Sequence, residues 1–66
     1  AMEIVLNGKT IQTVSSTLEE LILETGLDRS SLVAELNRQV VQQKDWAATP
    51  VTEADQIELL NFVGGG

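Results

Sequence analysis

Asn7-Gly8, set between two short runs of alternating apolar and polar residues, is the feature that most narrows the folds open to this chain. A type I′ turn needs positive φ at both central residues, and Asn-Gly is the dipeptide that meets this need most readily. The chain is therefore expected to open as an antiparallel hairpin, with Glu3 to Asn7 leading out and Lys9 to Val14 returning. Ile4 and Leu6 share one face of the first strand, and Glu3, Val5 and Asn7 the other. Ile11 is the main apolar residue of the return strand, with Thr10 and Thr13 adding β-branched side chains.

The period then changes. Leu18, Leu21, Ile22 and Thr25 recur at i, i+3, i+4 and i+7, one face of a helix. Ser16-x-x-Glu19 and Thr17-x-x-Glu20 both fit a capping box, so either can open it. Gly26 supplies the left-handed residue that closes it, with Leu27 expected to pack back on Ile22 as in a Schellman motif. Leu23 lies off the stripe. Glu19, Glu20 and Glu24 read as a solvated face rather than metal ligands. Asp28 to Ser31 is a connector or a further helical turn. Leu32, Ala34 and Leu36 alternate with Val33 and Glu35, Asn37-Arg38 is a turn with Asn tolerating positive φ, and Gln39 to Gln42 is a short strand. Gln43 to Thr49 has no period and is expected to be irregular or one helical turn, and its Trp46 reads as a lid over apolar surface. Pro50 marks a stop. Glu53-Ala54-Asp55 turns the chain into a final strand. The order of hairpin, helix, short strands and last strand predicts an α+β domain, one main helix on one face of a mixed sheet.

Composition removes whole classes of function. At 66 residues the chain makes one small domain. It has neither Cys nor His, so a disulfide, a thiolate metal site, a thiol nucleophile and the commonest general base are all missing. Ten acidic residues against four basic give a net charge of −6. That argues against nucleic acid and anionic membranes and for basic-faced protein partners. No apolar run approaches a membrane span and no signal peptide is visible, so a soluble cytoplasmic protein is the default expectation; a monomer that forms transient hetero-complexes is expected as well.

The chemistry is concentrated at the end. Ile57 to Val63 is strand-like and runs directly into Gly64, Gly65 and Gly66. Glycine loses the most conformational entropy on ordering, so a stiff anchor is expected to carry a flexible tail. Val63 to Gly66 spans roughly 13 Å at full extension. The tail is slim enough for a narrow channel, and its one special group is the Gly66 carboxylate. Against this stands the reading of the glycines as a frayed end or a leftover linker. Ala1 in front of Met2 is what a removed N-terminal tag would leave, and on that expectation the C-terminus had to stay native. Ile57 and Leu59 should face the helix. Glu58, Leu60 and Phe62 face away, where Leu60 and Phe62, with Val5, form an open apolar patch unless strand twist or the Gln42 to Thr49 loop covers Phe62.

The Asn7-Gly8 hairpin, the Thr17 to Leu21 helix start, Leu36 to Val41 followed by Trp46, and the Asp55 to Gly66 ending together resemble the ThiS family of sulfur-carrier proteins of thiamine (thiazole) biosynthesis. The resemblance spans nearly the whole chain. It implies a β-grasp domain over residues 2–63 and a flexible tail at 64–66. Gly66 would carry the adenylate and then the thiocarboxylate, Gly64 and Gly65 would be recognised in the tail, and Leu60, Phe62, Val63 and Val5 would dock partners. The implied partners are a ThiF-like adenylating enzyme using ATP, a sulfur donor such as a cysteine desulfurase, and a ThiG-like thiazole synthase. The carrier would be a protein co-substrate and not an enzyme, with no bound cofactor or metal. A terminal Gly-Gly is shared with small subunits of molybdopterin synthase and with ubiquitin-like modifiers, which are the alternatives, as is a passive interaction module. Two departures stand out. Ala54 replaces the Gly that many members place before the Asp of the last strand, and Gln42-Gln43 replaces their Pro-Arg.

Overall fold

The computed structural model describes residues 1–62, and within them the predicted order of elements is present. Strand β1 (Met2–Leu6) and strand β2 (Lys9–Thr13) form the opening hairpin. Helix α1 (Leu18–Thr25) follows, then a 3-10 turn (Arg29–Ser31), strands β3 (Leu32–Leu36) and β4 (Gln39–Val41), a second 3-10 segment (Gln43–Ala48) and strand β5 (Gln56–Asn61). The five strands form one sheet in the order β2-β1-β5-β3-β4. β1 and β5 run parallel and the other neighbours antiparallel. No helix among the described residues is long and apolar enough to cross a membrane.

Local chemistry explains most of the path. Asn7 and Gly8 have φ of 50° and 79°, as the hairpin requires. Asn37 and Arg38, at 51° and 71°, repeat the device between β3 and β4. Of the two capping boxes it is Thr17 that caps α1, its side chain accepting the Glu20 N–H at 3.2 Å. The Glu20 carboxylate reaches back one residue further, to the Ser16 N–H and hydroxyl at 2.8 and 2.9 Å. Hydrogen bonds from the Ser16 N–H and hydroxyl, then the Thr17 backbone, hold the Glu20 carboxyl below its usual range. Gly26 ends the helix at φ 74°. The Schellman expectation for Leu27 is not met. Its N–H goes to the Thr25 hydroxyl at 3.2 Å, and its side chain is partly exposed and outside the core. The Thr25 hydroxyl thus takes the donor that a Schellman cap would have sent to a helix carbonyl.

Leu18, Leu21 and Ile22 of α1 bury against Ile4, Leu32, Ala34, Ile57 and Leu59 of the sheet. Leu23, off the stripe, faces solvent. Trp46 closes the core, being fully buried, with its indole N–H donating to the Val41 carbonyl at 2.9 Å. The Arg29 guanidinium lies 5.7 Å from its ring centroid and pairs with Glu19 at 2.8 Å. The segment that sequence periodicity left open is thus a 3-10 helix fixed by its Trp.

Candidate functional site

β5 is the central strand, with β1 along one edge and β3 along the other. Two asparagines from the hairpin turns extend its pairing. The Asn7 side chain accepts from the Leu59 N–H at 2.8 Å and donates to the Leu59 carbonyl at 3.4 Å, replacing β1 where that strand has turned away. The Asn37 side chain accepts the Gln56 N–H at 2.9 Å and donates to Asp55 at 3.0 Å. Asp55 also accepts from the Thr52 N–H and hydroxyl. Burial pushes the Asp55 carboxyl up, and these three hydrogen bonds together outweigh it, so it stays below the ordinary aspartate range. Ala54, beside it, takes φ 70°, so the turn keeps its left-handed residue although glycine is absent. The chain thus enters β5 from a fixed corner.

The strand's far end is tied as well. Asn61 pairs with Leu32 in register, the Phe62 N–H donates to the Ser31 carbonyl at 2.7 Å, and the Ser31 hydroxyl donates to the Asn61 Oδ1 at 2.8 Å. Val63, Gly64, Gly65 and Gly66 lie outside the described residues.

The sheet face turned away from α1 carries the apolar residues expected of it. Leu60 is 46% exposed and Phe62 62% exposed, so neither strand twist nor the Trp46 segment covers the aromatic ring. Their neighbours differ from the expected ones. Val33 stands directly opposite Leu60 on β3, and exposed Val40 of β4, opposite Glu35, is diagonal to Val33. Val5 pairs with Gln56, four residues before Leu60, and so lies at the other end of the face. There it lines a recess of about 190 Å³ with Gly8, Glu35, Arg38, Gln56, Ile57 and Glu58. Glu35 and Glu58 are register partners and like-charged, an arrangement that costs stability. Among the described residues neither is ion-paired. Strand alternation alone puts Val33 and Glu35 on one face of β3. Only the long-range register of β3 on β5 joins them to the patch.

A family model for the ThiS family matches residues 4–66, which is nearly the whole chain and includes the terminal glycines. The chain belongs to the ThiS family. It is 29% identical over 66 residues to the sulfur carrier protein ThiS of Escherichia coli, with 98% of this chain and all of that protein covered. It is 33% identical over 66 residues to a thiazole synthase of Paramagnetospirillum magneticum. That match covers 98% of this chain, which spans about a fifth of the length of that enzyme. Among solved structures, the crystal structure of the thiamine biosynthesis protein ThiS from Geobacter metallireducens superposes with a TM-score of 0.84 at 29% identity, covering 98% of this chain and all of that one. The mixed five-stranded sheet with one main helix is the β-grasp arrangement of that ThiS.

Proposed function

We propose that this ThiS-family chain is a sulfur carrier for thiamine thiazole synthesis, with Gly66 as the reacting terminus. The observation that carries the reading is the family match running unbroken through Gly66, on a body whose central strand leads directly to that end. A carboxylate is a poor electrophile. A ThiF-like enzyme would join it to the α-phosphate of ATP, releasing pyrophosphate and making AMP the leaving group. The terminal sulfur of a persulfide then attacks the acyl carbon and AMP departs. A thiol cleaves the remaining S–S bond, leaving the thiocarboxylate and a disulfide. Glycine leaves the acyl carbon unhindered, and with no Cys in the chain the thiol comes from a partner.

Leu60, Phe62 and Val33, with Val40 at their margin, are the apolar docking surface in this reading, and Gly64 and Gly65 are the tail segment read inside the partner's channel. Val5 belongs to the rim, with Glu35 and Glu58 offering negative charge to a basic partner. A thiazole synthase as the acceptor of the sulfur is supported by the similarity to a segment of such an enzyme. A docked body also raises the effective concentration of the tail at the active site.

The test is intact mass after incubation with a ThiF-like enzyme, ATP and a sulfur donor. The expected result is replacement of one oxygen by sulfur, localised to Gly66 and lost on its deletion. No change with a demonstrably active enzyme would overturn the reading in favour of a molybdopterin-type carrier, a protein modifier or a passive module.

A further inference from the structure

The carrier reading leaves one cluster without a task, the grip of Ser31 on the last two described residues. Ser31 holds successive residues by two different groups: its hydroxyl donates to the Asn61 side chain at 2.8 Å and its carbonyl accepts the Phe62 N–H at 2.7 Å. Ser31 is itself fixed. It ends the 3-10 turn that Asp28 caps through the Ser30 N–H at 3.0 Å, and Leu32, the next residue, is buried in the core. Asn61 is exposed and Ser31 half-buried, so their side-chain bond contributes little to folding. Asparagine is also a poor strand former, yet it occupies the last position of the central strand.

We infer that Ser31 and Asn61 are positioning residues for the sulfur-transfer reaction: their bond fixes the point and direction from which the tail leaves the body. This rests on the sulfur-carrier reading. Four residues follow Phe62, a reach of about 13 Å. Over that short reach, the orientation at residues 61 and 62 largely decides where the Gly66 carboxylate can be delivered once the body has docked. Reacting atoms must approach to about 3–3.5 Å, and misplacement by about 1 Å can cost a hundredfold in rate. A loosened exit adds residues to be ordered at the moment of threading, each with an entropic cost. Docking through Leu60 and Val33 is left untouched.

The experiment compares wild type, Ser31→Ala, Asn61→Ala, the double variant and Ser31→Thr, each as the full chain. The initial rate of thiocarboxylate formation is followed by intact mass against carrier concentration, with thermal unfolding alongside. Both alanine variants should lower kcat about three- to tenfold with KM and Tm essentially unchanged. The double variant should be no worse than either single one, because both remove the same bond, and Ser31→Thr should retain the rate. Unchanged kcat in both alanine variants overturns the inference. So does a rise in KM alone, or a kcat loss that tracks a fall in Tm. A wild type that never gains sulfur from an active enzyme overturns the carrier reading itself.

Discussion

Phe62→Ala separates docking from folding because the ring sits between the two roles. Phe62 is 62% exposed, so about two-fifths of its surface is covered by the domain. A large aromatic side chain buries about 200 Å² when fully enclosed, which puts the covered part near 75 Å². At about 25 cal/mol per Å² that is about 2 kcal/mol as a ceiling. Part of the cover lies over backbone and Cβ atoms that alanine keeps, which brings the expected loss to about 1 kcal/mol. A buried aromatic truncation would cost about 3–5 kcal/mol instead. Urea unfolding reads the difference directly, as a lowered midpoint with an unchanged slope. Calorimetric titration of a ThiF-like enzyme with each protein reads the other side. An aromatic at the centre of a docking patch should lose at least about 2 kcal/mol, roughly thirtyfold in Kd. A stability loss of 3 kcal/mol or more with unchanged affinity would refute the open-patch argument.

Three further outcomes are expected. Ala54→Gly should raise Tm by about 3–6 °C, since a left-handed residue with a Cβ costs about 1–2 kcal/mol and glycine's greater freedom returns only part of it; a fall in Tm would show that Ala54 at φ 70° carries no strain. Glu58→Gln should stabilise the fold, because two charges at the ~5 Å of an opposed pair repel by about 0.8 kcal/mol in water, and the gain should shrink with added salt. Asp55→Asn should destabilise the domain at neutral pH and much less in acid. The folded-state pKa of Asp55 is depressed, so its stabilisation is present above the unfolded value of about 3.9 and is lost as pH falls through the folded one; urea midpoints measured across that range should converge.

Both hairpins were legible because turn chemistry is local: Asn7, Gly8 and Asn37 are residue types that accept positive φ, whereas the left-handed Arg38 that completes the second turn was not legible. The helix stripe, Gly26 as its stop and the two faces of β5 were legible for the same reason, their period lying within one element. Trp46 was legible as a lid over the core, but the course of its segment was open between irregular and helical, because its order comes from elsewhere: the Val41 carbonyl, the helix beneath and the Arg29 guanidinium above the ring. The second use of Asn7 and Asn37, as side-chain partners of β5, was equally hidden, since a turn residue declares its φ in sequence but not the strand it will face. Patch membership failed at Val5 and gained Val33 and Val40 because it depends on register between distant strands. The parallel pairing of β1 sets Val5 against the beginning of β5, whereas the antiparallel β3 sets Val33 against its end.

The opposed pair of Glu35 and Glu58 lies on the same sheet face as that patch. A sheet face with exposed Leu60, Phe62 and Val40 invites a second sheet to stack on it. Two copies meeting face to face would bring four carboxylates together, and the two Arg38 side chains that line the same recesses would offset only part of their charge. The repulsion that weakens one domain slightly therefore weakens a stacked pair more. A partner with a basic rim would meet the same surface with attraction. The patch would then stay open for a partner in a chain that would otherwise bury it against itself, and the repulsion of about 0.8 kcal/mol within the fold would be the cost of that selectivity.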